Sequence, residues 1–82
     1  MKKIRMRWNG PDAEMPMHAH YVASARGRGA YLILGVNNRG VRMHKQTGEP
    51  HILLVLTVER VGRAAIDQPD AVVHWIVWDR RW

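Results

Sequence analysis

The chain reads as mostly β: a small antiparallel barrel or strongly curved sheet in a single domain, residues 1–82, with at most one short helix. Three observations predict this class. Apolar residues recur with period two more often than with period 3.6, the mark of strands with one buried face. Clusters of Gly, Pro and Asn interrupt the apolar runs at short intervals and leave no room for a long helix. A length of 82 residues allows one modest core and no second domain. SH3-like, OB-like and PUA-like barrels all satisfy the pattern, and closure would remove the exposed edges on which strands aggregate.

The elements follow in order. "KIRMRW" sets Ile4, Met6 and Trp8 on one face and Lys3, Arg5 and Arg7 on the other, a half-buried strand that Asn9, Gly10 and Pro11 bring to a stop. Pro16 argues against a helix or central strand in "DAEMPMHA", which reads as loop. From His20 to Ala25 and from Ala30 to Val36, β-compatible residues flank "RGRG" and predict a hairpin whose bend uses glycine. "VNNRG" predicts the next turn, with "VRMH" a short strand after it. The loop "HKQTGEP" leads into "HILLVLTVERV", apolar on both faces in its first half and therefore central. Gly62 and Pro69 limit "GRAAIDQPD" to one helical turn, and "AVVHWIVW" is the last strand. In that strand Trp75 alternates with Val73 and Val77, which predicts a core position.

Bulk chemistry narrows the function classes. There are four Trp and no Phe, so indoles carry much of the bulky contact. The absence of cysteine removes disulfides and Cys zinc sites and fits a reducing cytoplasm. The basic start "MKKIRMRW" alternates where a signal peptide needs an unbroken apolar region, and "ILLVL" is far short of the roughly 20 residues that span a bilayer. A soluble, cytoplasmic protein without a membrane partner is expected. Thirteen Lys and Arg against seven Asp and Glu leave a net charge of +6, a field that attracts polyanions such as nucleic acid or an acidic protein surface.

The basic residues fall into groups. Arg26 and Arg28 in "SARGRGAYLILGV" alternate with Gly27 and Gly29, where guanidinium forks and backbone N–H groups can approach phosphate, although the composition is also that of an ordinary hairpin bend. A dinucleotide fingerprint would need glycine where Leu32 stands, and no P-loop Lys-Ser/Thr pair follows. Lys3, Arg5 and Arg7 align on one strand face; Arg39, Arg42 and Lys45 form a further cluster. Whether these groups meet in space decides between a polyanion surface and solvated strand faces. The aromatics Trp8, Tyr21, Tyr31, Trp75, Trp78 and Trp82 could interleave with the cations, with Tyr31 or an exposed Trp the candidate to stack on a base. Trp78, Arg80, Arg81 and Trp82 in "WDRRW" are the candidate anchors for a protein partner, or a terminal clasp.

Catalysis and cofactors have thin support. Ser24 is the only serine and lies in no nucleophile elbow, and the carboxylates are scattered. His18 and His20 at i and i+2 would point the same way on an extended segment and suit one ion, with a third ligand to come from His44, His51, His74, Asp12 or Glu14. No metal motif of known spacing is present, so no metal and no cofactor are expected. The succession "RWNGP", "SARGRGAYLILGV", "HILLVLTVERV" and "VHWIVWDRRW" resembles the small, basic, β-rich accessory proteins of bacteriophages and prophages. That resemblance implies an intracellular bacterial setting and binding to nucleic acid or a host protein, and it assigns no residue roles. The reading is therefore a non-catalytic binding module, nucleic-acid-associated through Lys3, Arg5, Arg7, Arg26, Arg28 and Tyr31. The alternative is a protein-interaction or assembly module, such as an inhibitor or homo-oligomer; a small hydrolase or metal-dependent enzyme using His18 and His20 ranks third.

Overall fold

The computed structural model describes residues 1–24 and 29–76. Five strands, β1 (Lys2–Trp8), β2 (Tyr21–Ser24), β3 (Ala30–Met43), β4 (Pro50–Val61) and β5 (Val73–Ile76), form one sheet in the order β1-β4-β3-β2-β5. Two 3-10 turns, Asp12–Glu14 and Arg63–Ile66, are the only helical pieces among the described residues. The mostly β expectation holds, and the helical turn expected in "GRAAIDQPD" is Arg63–Ile66; the expected limit of one short helix is exceeded by the Asp12–Glu14 turn, which lies in the segment read as loop.

β1 alternates as its sequence requires. Ile4 and Met6 are buried while Lys3, Arg5 and Arg7 are exposed, and the strand runs antiparallel to β4 from Lys2 opposite Val58 to Trp8 opposite Ile52. β4 lies between β1 and β3 and is the central strand that its apolar run predicts: Leu54, Leu56 and Val58 are wholly buried on one face, Leu53, Val55 and Thr57 half-buried on the other. β2 and β3 make the expected hairpin, with Tyr21 opposite Leu32 and Ala23 opposite Ala30. The Ser24 N–H donates to the Gly29 carbonyl at 3.2 Å across the base of the bend. Arg26 and Arg28 lie outside the described residues, as do Trp78, Arg80, Arg81 and Trp82.

Three expectations need correction. "VNNRG" is no turn: β3 continues through it, still paired with β4, and absorbs the mismatch as a bulge between Asn38 and Val41, with another between Ile33 and Gly35. The bulge is possible because Gly40 adopts φ +88° and its N–H donates to the Asn38 side-chain oxygen at 2.8 Å. The true turn comes at residues 44–49, where the His44 N–H donates to the Glu49 carbonyl, the Gly48 N–H donates to the His44 carbonyl, and Gly48 takes φ +71°. Secondly, the sheet is mixed, because β5 pairs parallel with β2, Tyr21 opposite Val73 through Ser24 opposite Ile76. β3 already flanks β2 on one side, so the chain leaving β4 crosses through the Arg63–Ile66 turn to the far edge. Thirdly, Trp75 is no core residue. It stands on the outer face of an edge strand, 56% exposed, with the Arg63 guanidinium 5.5 Å from its ring centroid.

The sheet is open, with β1 and β5 as its edges, yet it curls strongly. Trp8 on one edge strand meets His74 on the other edge-on, ring centroids 6.2 Å apart. The concave side holds the main core of Ile4, Met6, Val22, Ile33, Leu54, Leu56, Val58 and Ile76, capped by Met15 and by the fully buried Pro16 from the loop after β1. A smaller cluster of Ala23, Ala30 and Ile66 lies on the convex side, where the second 3-10 turn covers the β2–β3 end. No helix among the described residues is long and apolar enough to cross a membrane.

Candidate functional site

The convex face of β1, β4 and the far half of β3 carries the charge. Register fixes its composition: Lys3 pairs with Thr57, Arg5 with Val55 and Arg7 with Leu53, and across β4 these rows continue to Gly35 and Asn37 on β3, with Arg42 opposite His51. Alternation sends all these side chains to the same face. Successive cations on β1 are about 7 Å apart, and the β1 and β3 rows about 10 Å apart. Between them Leu53, Val55 and Thr57 form a half-buried strip, the kind of surface over which long Lys and Arg stems lie. The rows from His51 to Thr57 contain no carboxylate; Glu59 begins the next row, and Glu49 borders the other end across a depression of about 110 Å³ lined also by Arg7 and His51.

The sequence-level groups are thus partly brought together. The β1 row and Arg42 of the third cluster share one face, which no reading of a single strand could reveal because β4 lies between them. The described residues nearest the two arginines of "RGRG", Ser24 and Gly29, stand beyond Ala30 and Val61, past the end of β1's pairing at Val58. Tyr31 does not join the cations. It is half-buried against the concave core, with the Lys2 ammonium 5.3 Å from its ring centroid.

A second constellation lies on the concave side. His18 and His20 do not share an extended segment; they occupy a turn closed by the His20 N–H donating to the Met17 carbonyl at 3.1 Å, with Ala19 at φ 71°. The turn leaves His18 exposed and directs His20 inward, where its Nδ1 lies 3.0 Å from Nε2 of His74. The Met17 backbone N–H also donates to His20 Nδ1, at 3.3 Å. A backbone N–H can only donate, so Nδ1 is unprotonated and His74 Nε2 carries the bridging proton. Burial holds His74 below its ordinary value of 6.5, and the His20 imidazole beside it acts in the same direction. The pairing of β2 with β5 creates this contact, so the spacing of histidines in the sequence gave no sign of it.

Comparison with known proteins finds no matching family model, no matching curated protein and no matching solved structure. Function is therefore argued from the site alone.

Proposed function

We propose that the protein is a non-catalytic binding module that associates with nucleic acid through the convex face of β1, β4 and β3. The observation that carries the reading is a basic row whose paired rows, among the described residues, hold no carboxylate from His51 to Thr57: Lys3, Arg5 and Arg7 on one strand, with Arg42 two strands away. Cations at strand spacing contact successive phosphates without reading bases, which suits sequence-tolerant binding. Tyr31 is left out of the contact set, since its ring is already packed; Arg26 and Arg28 remain proposed contributors from the bend. A net charge of +6 adds long-range attraction to the local contacts. The setting proposed is the bacterial cytoplasm, in a phage or prophage context.

The test is a titration of the purified protein against random-sequence single- and double-stranded DNA and RNA across a salt series. Binding that weakens steeply with salt supports the proposal, as expected when phosphate contacts release counterions. Weak, flat signals throughout would reject it. A second reading, an acidic protein partner, is favoured by Trp75, which offers a large exposed indole under Arg63 on the same face. In that case binding persists at moderate salt and is lost in Trp75→Ala.

A further inference from the structure

We propose that the His20–His74 pair is a binding site for one soft metal ion, monovalent copper, held by His20 Nδ1, His74 Nε2 and the thioether of Met17. The site lies on the concave side of the sheet and is independent of the basic face.

Four observations carry it. Two metal-capable nitrogens from segments 54 residues apart approach to 3.0 Å. Three donors around one ion enclose about 120°, which would set the two nitrogens about 3.5 Å apart, so the stacked rings must part by about half an ångström and tilt toward a common point. The hydrogen bonds leave His20 Nδ1 unprotonated with its lone pair turned toward His74, the form in which an imidazole nitrogen ligates. The turn that presents His20 is held in a conformation unfavourable to alanine, Ala19 at φ 71°, and backbone strain of this kind concentrates where a side chain must be aimed. Finally, Met17 closes the same turn through its carbonyl, and its exposed, flexible thioether is the soft donor that the turn carries three residues before His20.

The ligand set selects the metal. Among the described residues no three His, Cys, Asp or Glu side chains gather at one point, and the chain has no cysteine, so the donors of a structural zinc site are lacking. Two imidazoles with a thioether suit a soft monovalent ion. Trp8 packs edge-on to His74, ring centroids 6.2 Å apart. On binding, the proton that bridges the pair leaves His74 Nε2 and is held on Nδ1 of the same ring, a change of tautomer with no net proton release; the Met17 N–H turns to solvent.

Silver(I), a redox-inert stand-in for copper(I), is the probe, added to the untagged full chain. Native mass spectrometry reads stoichiometry, and imidazole 15N spectra of the wild type read the site without any variant. The expected result is one ion per chain, with nitrogen shifts at His20 and His74. Affinity should fall about 100-fold or more in His20→Ala and His74→Ala, and about tenfold in Met17→Leu. The double variant His44→Ala/His51→Ala should bind like wild type. Absence of binding, ring shifts confined to His18, His44 or His51, or full affinity in folded His20→Ala and His74→Ala would overturn the proposal.

Discussion

Individual backbone angles and rings make the sharpest commitments. Ala19 occupies the left-handed region at φ 71°, whereas Gly40 and Gly48 occupy it without a Cβ. Ala19→Gly should therefore leave stability unchanged or raise it by up to about 1 kcal/mol, and Gly48→Ala should lower it by about 1 kcal/mol, both read by urea denaturation. His74 adds a pH dependence. Its folded-state pKa is lowered, so the unfolded chain binds the proton more readily. Its contribution to stability is complete above the ordinary value of 6.5 and is lost as pH falls from there through the folded value. Metal-free protein should lose denaturation midpoint between about pH 8 and pH 5, and His74→Gln should flatten that dependence; an equal loss in the variant would assign it elsewhere. None of this was legible in the sequence, because Ala19 carries no signature of positive φ and His74 acquires its neighbour only through strand pairing.

Strands were more legible than their connections. β1 and β4 follow from alternation and from an apolar run too long for an edge, since hydrophobic period is a property of each segment alone. β3 was misjudged where Asn37 to Gly40 offer turn chemistry. The competing term is β4, whose twelve residues need a partner along their whole length, and the chain keeps the pairing by expelling one residue. That bulge rests on two residues, so Gly40→Ala should cost about 1–2 kcal/mol and Asn38→Ala about 1 kcal/mol or less. Loss of both without effect would mean the bulge is not specified there. Within β4, Leu56 is wholly buried between β1 and β3, and Leu56→Ala should cost about 2–5 kcal/mol, a large share of a small domain's stability. The bulges also kink the side of β3 that no described strand pairs beyond Ile33, which blunts that edge against further strand addition.

At the scale of the molecule, one curled sheet presents two chemistries on opposite sides: cations on the convex face, and a half-buried pair of imidazoles near the seam where the two edge strands approach. Net charge predicted the first in kind, but its arrangement depended on register across β4, which composition does not contain. The parallel β5 and the open seam were illegible because strand order is a long-range property. The measurement that tests the account most directly is the salt dependence of nucleic-acid affinity in wild type and in the Lys3→Ala/Arg5→Ala/Arg7→Ala variant. If those three side chains contact phosphates, the slope of log affinity against log salt should become shallower by about two on single strands, or by nearly three on duplex, while far-UV circular dichroism stays unchanged. A variant that folds and keeps the wild-type slope would contradict the assignment of the convex face.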